Sequence, residues 1–430
     1  MTKKTERPTL RELTATSAKI GFLSFGGPAA QIALMHRIFV DEKKWIDEAR
    51  YLHALNYCML LPGPEAQQLA TYVGWLVHGV KGGVIAGALF VLPGAFVVFA
   101  LSWLYAAQGD APLVEAAFYG VRAAVLAFVV EALIRISRRA LKGRTDFYTA
   151  AAAFAALTLF AIPFPIIILA AALLGAWRAR RAESAAPAPA SPGAARKAAQ
   201  AAFLWAGAWF APLVISFAAL GSDHVVTRVG VFFSKLAIVT FGGAYALLAY
   251  LRQQAVEIEG WLSASQMIDG LGLAETTPGP LVLVNQFVGF LGGWQAEGGG
   301  LLLAAAAAAM ASWCTFAPSF LWIFAGAPYA ERLRANPRAS AALRAITAAV
   351  LGVIANLAFW FAVHVIFAEA AAVTTPWGTP LTLPHLPSFD ALAALIAAAS
   401  AFALIRFHAN AITVVLGALG VGVCVTFPVG

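Results

Sequence analysis

Charge is scarce in this sequence. Charged residues make up 12% of its 430 positions, hydrophobic residues make up 61%, and the mean hydropathy is +0.79. An ordinary soluble domain is about 25% charged and about 45–50% apolar. The shortage of charge excludes an ordinary soluble protein, and the composition predicts a chain that lives in a lipid bilayer.

The signals of several other protein classes are also missing. The first twenty residues have no apolar core and no small-residue cleavage site, so a signal peptide is not expected. There is no GxxxxGK[ST] loop for a nucleotide. The 7 His and 3 Cys form no haem, flavin or clustered-thiol constellation, so no enzyme, cofactor or metal is predicted. Cys58, Cys314 and Cys424 are far apart in apolar surroundings and are expected to fill the core.

What the sequence has instead is a series of apolar blocks. Nine of them approach or exceed the roughly 20 residues that cross the hydrocarbon core of a bilayer. They are 83–107, 112–141, 146–161, 163–179, 200–220, 299–326, 331–368, 388–406 and 411–428. A tract rich in Pro, Ala and Ser at 182–195 interrupts the series and predicts an exposed linker.

Two further regions, 10–80 and 225–295, contain Gly and Pro inside apolar sequence, and they match each other. The offset that carries Phe25 onto Phe241, called the repeat offset below, aligns them without a gap. The matched pairs are Lys19 and Lys235, Gly26-Gly27 and Gly242-Gly243, Trp45 and Trp261, Pro62-Gly63-Pro64 and Pro278-Gly279-Pro280, and Gly82-Gly83 and Gly298-Gly299. The match predicts an internal duplication.

The basic residues indicate how the two copies are oriented. The net charge of +8 sits in short clusters rather than on one face, so no nucleic-acid partner is expected. The turn at 41–50 carries Lys43, Lys44 and Arg50, whereas the matching turn at 257–265 has no base. Because basic loops stay in the cytoplasm, the copies are expected to face opposite sides of the membrane.

The predicted fold class is therefore an all-α integral membrane protein with two inverted-topology repeats. The first repeat covers 1–181, a linker and one extra transmembrane helix cover 182–224, and the second, inverted repeat covers 225–430. Each repeat is expected to contain two broken or re-entrant helical hairpins plus about four transmembrane helices. The surrounding partner is membrane lipid, and a homodimer is left open.

The breaks suggest an anion site. Backbone that is broken at membrane depth survives only where protein or a water-filled cavity satisfies its polar groups, so the breaks should face inward. Pro28 and Pro64 suit the first position of a helix. A helix that starts in mid-membrane presents free N–H groups and about half a positive charge. Several such starts that converge would bind a small multivalent anion.

Three charged positions are candidates for the site, and each has a structural alternative. Arg122 lies ten residues into the block at 112–141, or roughly 15 Å along a helix, which is about half the apolar thickness. An Arg at that depth requires a partner or a cavity, so a substrate role is predicted. Arg344 is shallower, with an interfacial position as the alternative. Glu65 opens a polar helical face and is the candidate for proton coupling, with simple stabilisation of the helix start as the alternative.

The full predicted site combines the two copies, which are alike in backbone and different in polar chemistry. For Gly26 and Gly27, the alternative to a role in the site is close packing between helices. For Lys19 and Lys235, the alternative is that the side chain reaches to the membrane interface. The predicted substrate-binding residues are Lys19, Phe25, Gly26, Gly27, Pro28, Gln31, Pro62, Gly63, Pro64, Glu65, Gln67, Gln68, Thr71, Arg122, Lys235, Phe241, Gly242, Gly243, Thr276, Thr277, Pro278, Gly279, Pro280, Asn285 and Arg344.

Four motifs resemble the chromate ion transporter family in its long, two-domain form. They are FGGP at 25–28, LPGPEAQQLATYVGW at 61–75, FGG at 241–243 and TTPGP at 276–280. The resemblance covers nearly the whole chain except the linker and the polar N-terminus. It implies a multi-pass protein of the bacterial inner membrane that exports chromate, with sulfate as a look-alike substrate. Ala244 replaces the proline found at position 28, so the helix start in the second copy is less firmly set.

Energetics favour secondary transport. A dianion that leaves a negative interior gains roughly 4.6 kcal/mol per 100 mV, so export needs no ATP. A protonated Glu65 would remove repulsion and favour co-transport, whereas antiport requires competition for one pocket; both remain open. A passive anion channel and transport of sulfate or another oxyanion are the alternative functions.

Overall fold

The structure is a computed structural model that describes residues 8–109, 111–180, 194–241, 244–329, 336–376 and 378–426. Helices dominate these residues. In chain order they are α1 Leu10–Leu23, α2 Gly27–His36, α3 Glu48–Cys58, α4 Glu65–Gln108, α5 Pro112–Ala140, α6 Arg144–Phe160, α7 Phe164–Arg178, α8 Ala194–Leu220, α9 Val225–Val239, α10 Ala244–Arg252, α11 Ala264–Thr276, α12 Val284–Gln295, α13 Leu301–Gly326, α14 Pro337–Ile366, α15 Ala391–Phe407 and α16 Ala411–Thr426.

Five of the described helices are long and apolar enough to cross a membrane, namely α4, α5, α8, α13 and α14. Three shorter helices, α7, α15 and α16, are also apolar. These helices make the chain a multi-pass membrane protein. The predicted blocks agree with helix positions to within a few residues at most ends, whereas most of the predicted linker at 182–195 lies outside the described residues.

A short sheet makes the prediction of an all-α chain incomplete. Strands Ala370–Thr374 and Pro380–Pro384 pair antiparallel between α14 and α15, with Ala370 opposite Pro384. The tight turn between them is closed by the Gly378 N–H, which donates to the Thr375 carbonyl oxygen at 2.9 Å. Because the pairing joins residues across a turn, helical periodicity gives no signal for it.

Helix α4 contains a reversal that the apolar pattern hides. His78 and Gly79 leave helical geometry, with Gly79 at φ +60° and ψ −154°. The two arms of α4 then pack through glycine, because a side chain at Gly74 would collide with the carbonyl oxygen of Gly82. The reversal falls just before the predicted crossing at 83–107 and separates it from the polar start of the helix.

The helices form two compact units, and each unit draws on both halves of the sequence. The first unit contains α1 to α3, nearly all of α4, and α8, α9, α12 and α13. The second contains α5 to α7, nearly all of α10, and α11, α14, the sheet, α15 and α16. The predicted division at 182–224 concerns the order of repeats along the chain and stays a prediction.

Unusual local geometry recurs at the repeat offset. π-Helical turns occupy Arg37–Glu42 and Gln253–Ile258, and that offset carries both ends of the first turn onto the ends of the second. The central glycines of the two PGP motifs, Gly63 and Gly279, both take positive φ, at +107° and +93°. Only glycine adopts such values without strain, so both breaks depend on the glycine between the two prolines.

Candidate functional site

The broken segments of the first unit complete each other's hydrogen bonds. The Gly63 N–H donates to the Thr240 carbonyl oxygen at 2.9 Å, and the Gly279 N–H donates to the Ser24 carbonyl oxygen at 2.8 Å. The repeat offset relates the two donors to each other and likewise the two acceptors, so the bonds form a matched exchange. Since an unsatisfied backbone group is costly in a membrane, this exchange makes interrupted helices tolerable there.

Ser24 and Thr240 end their helices in the same way. The Ser24 hydroxyl donates to the Ile20 carbonyl oxygen at 2.7 Å, and the Thr240 hydroxyl donates to the Leu236 carbonyl oxygen at 2.6 Å. Both side chains are therefore turned back onto the preceding helix, which leaves their own carbonyl oxygens for the glycines. The next turn uses Gly26 at φ +81°, while its predicted counterparts, Gly242 and Gly243, lie outside the described residues.

A cavity in the first unit lies where helices begin. Its wall includes Pro28 near the start of α2, Glu65 at the start of α4, Ala244 at the start of α10 and Leu281 in the 3₁₀ turn that leads into α12. The first N–H groups of a helix have no partner inside the helix and carry partial positive charge. A cavity at such starts favours an anion.

The cavity is small, with a volume of about 20 Å³. That volume holds about one water molecule. A tetrahedral oxyanion has four oxygen atoms and is larger, so the wall must move apart to admit it. Gly63 and Thr240, whose backbones share a hydrogen bond, are both in this wall. Widening the cavity therefore strains this hydrogen bond between the two broken segments.

Gln31 joins the cavity to the second PGP motif. Its Nε2 donates to the Gly279 carbonyl oxygen at 2.7 Å, and the residue is 1% exposed. Because a carbonyl oxygen accepts only from the NH₂ end of an amide, this bond fixes which end is oxygen. The Gln31 Oε1 has no hydrogen-bond partner among the described residues.

The polar face at the start of α4 points into protein. Gln67, Gln68 and Thr71 are fully buried. Gln68 Nε2 donates to the Pro62 carbonyl oxygen at 2.7 Å and Gln67 Nε2 to the Phe316 carbonyl oxygen at 3.4 Å. The side-chain NH₂ groups of Gln67 and Gln68 therefore both donate to backbone carbonyl oxygens. None of these three side chains is in the wall of the cavity at the helix starts.

The matching part of the second copy carries different polar chemistry. Asn285 Nδ2 donates to the Thr315 hydroxyl at 3.0 Å. The Thr276 hydroxyl donates back to its own helix, to the Gly272 carbonyl oxygen at 3.0 Å, and Thr277 is buried. Pro280 lies in the cavity wall beside Leu281 and Val282, so the second copy contributes mainly apolar residues to that wall.

Arg122 has a partner within the second unit. Its Nε and Nη2 donate to the two carboxylate oxygens of Asp269 at 2.7 and 2.8 Å, and the Tyr105 hydroxyl donates to the same carboxylate at 2.8 Å. Asp269 is 0% exposed. A bidentate pair of this kind meets the need of Arg122 for a counter-charge without a bound anion, so its substrate role stays a prediction.

The other predicted cations lie at the surface of their helices. Arg344 donates to the Asp146 carboxylate at 2.7 Å, and its side chain is 54% exposed. Lys19 and Lys235 are exposed and do not reach the cavity wall. Among the three cysteines, Cys58 and Cys314 are buried as predicted, whereas Cys424 is exposed, contrary to the prediction for it.

The predicted site leaves out three buried charged groups. Asp269 is one, and Glu275 accepts a hydrogen bond from the Tyr245 hydroxyl at 2.6 Å. Arg252 is 6% exposed and pairs with Glu257. A signal was present, because Asp269 and Glu275 are the acids of an otherwise apolar stretch. Their partners lie on distant segments, which sequence periodicity does not reveal.

The apolar helices define a multi-pass membrane protein, and several of its helices begin around one small cavity. The family model described as Chromate transporter matches residues 11–176 and 227–423. The chain belongs to that family. The family is one of transporters, so this protein is not an enzyme.

Named relatives agree with this membership. A chromate transport protein of Cupriavidus metallidurans is 30% identical over 358 residues, which cover 80% of this chain and 81% of that protein. A chromate transport protein of Pseudomonas aeruginosa is 35% identical over 283 residues, or 66% of each chain. A probable chromate transport protein of Synechococcus elongatus is 29% identical over 81% of this chain and 83% of that protein. No solved structure matches the chain.

Proposed function

We propose that the protein is a secondary-active transporter that exports chromate from the cytoplasm and so confers chromate resistance. The observation that carries the proposal is the cavity at which α2, α4, α10 and the turn before α12 begin. Helix starts supply N–H donors without a fixed cation, which suits an anion that must also leave. The relatives named for chromate transport supply the substrate.

The repeats are proposed to be inverted. The shared offset of the π-helical turns and of the glycine hydrogen bonds supports a common origin for 1–181 and 225–430. The basic turn at 41–50 and its counterpart without bases at 257–265 support opposite orientations in a bacterial inner membrane. Helix α8 is then the extra crossing that turns the second copy over.

The proposed binding surface uses backbone from both copies and polar side chains from the first. The predicted residues already in the cavity wall are Pro28, Gln31, Gly63, Pro64, Glu65 and Pro280. Binding is expected to widen the cavity, because its present volume suits about one water molecule. The remaining predicted residues of the four motifs are proposed to support the wall rather than to contact the anion directly.

Voltage is expected to drive chromate flux. In proteoliposomes held at a potential that repels the anion from the loaded side, flux should rise relative to vesicles with the potential collapsed and the pH gradient kept. Each elementary charge is worth about 2.3 kcal/mol per 100 mV. Flux that follows only the pH gradient would contradict voltage as the driving force. Sulfate flux measured in parallel tests the alternative substrate, and ionic currents far above transporter turnover would indicate a channel.

Glu65→Ala is expected to abolish chromate resistance without loss of expressed protein. Glu65 lies in the cavity wall and is partly exposed, so its removal changes the charge of the site more than the packing. Resistance of cells and the amount of protein in membranes are the measurements. Glu297→Ala removes an exposed acid of the same unit and serves as the matched control. Full resistance in the Glu65 variant would remove that residue from the mechanism.

A further inference from the structure

The cavity offers hydrogen-bond acceptors as well as donors. Gln31 commits its NH₂ group to the Gly279 carbonyl oxygen at 2.7 Å, so the polar atom it has left is the acceptor Oε1. That atom is buried without a partner among the described residues. Glu65 adds carboxylate oxygens to the same wall. A ligand that only accepts hydrogen bonds leaves Gln31 Oε1 without a partner.

The carboxylate and amide acceptors of the wall are confined to one copy. The repeat offset carries Gln31 onto Leu247 and Glu65 onto Leu281, and neither leucine has a polar side chain. The backbone of the wall is repeated, with Pro64 and Pro280 in matching places. Donors from helix starts therefore come from both copies, whereas the carboxylate and amide acceptors come from the first copy. The second copy adds the Thr240 hydroxyl, which donates to its own helix.

A tetrahedral oxyanion that carries one proton matches this arrangement. We propose that the cavity binds the singly protonated form of the oxyanion, with its O–H donated to Gln31 Oε1 and its other oxygens accepting N–H groups at the helix starts. The fully deprotonated dianion has no hydrogen to donate and would face both Oε1 and the Glu65 carboxylate. This inference rests on the proposed function and specifies the form of the substrate.

Recognition of this proton would also let the cavity discriminate chromate from sulfate and selenate. Hydrogen chromate is a weak acid that is populated near neutral pH, whereas hydrogen sulfate and hydrogen selenate are much stronger acids and are fully deprotonated there. Selenate and chromate share shape and charge in their deprotonated forms. One acceptor atom on Gln31 can therefore discriminate anions that differ mainly in how tightly they hold a proton. Transport of the protonated form moves one elementary charge per oxyanion instead of two.

Other titratable groups near the cavity must be distinguished from the anion's own proton. Glu65 is in the cavity wall, and Cys58 is a buried thiol at the end of α3. Lys19 on α1 and Lys235 on α9 are exposed. Protonation of Glu65 would favour chromate and selenate equally, whereas protonation of the anion favours chromate alone.

The test is calorimetric binding of chromate and of selenate to the full-length protein in detergent. Between about pH 6 and about pH 9, chromate affinity is expected to fall by about tenfold per pH unit above the anion's own pKa, because only the protonated fraction binds. Selenate is expected to bind much more weakly at every pH. Chromate binding that does not change with pH, or selenate binding of equal strength, overturns the inference but leaves the proposed function standing. Wild-type protein that binds neither anion overturns the proposed function.

Variants locate the acceptor. Gln31→Met is expected to weaken chromate binding by about tenfold and to reduce its preference over selenate. Gln286→Met is the matched control, because Gln286 is buried, donates to the Ala95 carbonyl oxygen at 2.8 Å, also has an unpartnered Oε1, and is absent from the cavity wall. Equal losses in the two variants would contradict a role for Gln31 in recognition. If Gln31→Met does not fold, the wild-type comparison of chromate with selenate still decides.

Discussion

Replacing Arg122 by Met is expected to lower the free energy of unfolding by about 3–5 kcal/mol, because it leaves the Asp269 carboxylate buried without its cation. Asp269 is 0% exposed, and both of its oxygens accept from Arg122. Among the residues that the structure describes, Tyr105 is then the remaining side-chain donor to that carboxylate. The measurement is thermal unfolding in detergent, together with the monodisperse fraction after extraction from membranes.

A double variant separates the structural role of Arg122 from a role in binding. Arg122→Met with Asp269→Asn removes both charges and keeps an oxygen that can accept the Tyr105 hydroxyl, so most of the lost stability should return. Arg344→Met is the control, since it breaks a pair whose Arg side chain is 54% exposed and should cost at most about 1 kcal/mol.

The flux of that double variant decides the matter. If it folds and transports chromate, Arg122 acts through Asp269 alone and is not a substrate residue. If it folds without transporting, the substrate role predicted from the depth of Arg122 gains support. An Arg122→Met variant that unfolds at the wild-type temperature would contradict the importance of the pair.

Local sequence predicted the breaks well because their cause is local. Gly63 and Gly279 sit between prolines, which fix φ and remove an N–H, so a helix cannot continue through either motif. The ends of long apolar helices such as α5 were predicted for a similar reason, since length and composition alone define a crossing.

What local sequence did not provide is the partner of each group. The depth of Arg122 predicted the need for a counter-charge, but Asp269 lies 147 positions further along the chain. The bond from Gln31 to Gly279 spans 248 positions, and its unpartnered oxygen becomes visible only once that bond is known. The short sheet after α14 is likewise set by pairing. Contacts of this range are determined by tertiary packing, which overrides any pattern read along one segment.

Replacing Gly279 by Ala is expected to disable transport and to destabilise the first unit. At φ +93° a side chain costs about 1–3 kcal/mol in backbone strain. The added Cβ would also lie 2.9 Å from Leu283 Cδ1 and 3.3 Å from the Gly94 Cα, and backbone cannot easily give way. The Gly279 N–H donates to the Ser24 carbonyl oxygen, and the Gly279 carbonyl oxygen accepts from Gln31. A shift of this backbone therefore disturbs both hydrogen bonds.

Gly298→Ala is the control that separates the effect of backbone strain from the effect of disturbing the contacts and hydrogen bonds of Gly279. Gly298 has φ +69° and no neighbour within 4 Å of an added Cβ, so it shares the backbone cost without the contacts. Thermal unfolding should therefore fall further for Gly279→Ala than for Gly298→Ala, and chromate flux should fall only for Gly279→Ala. Every 1.4 kcal/mol of lost binding free energy lowers the affinity about tenfold. Strain that distorted the cavity would therefore produce a measurable loss of chromate affinity. Wild-type flux in the Gly279 variant would show that the two broken segments need not cross in this geometry for transport, and the helix starts would then lose their role as the anion site.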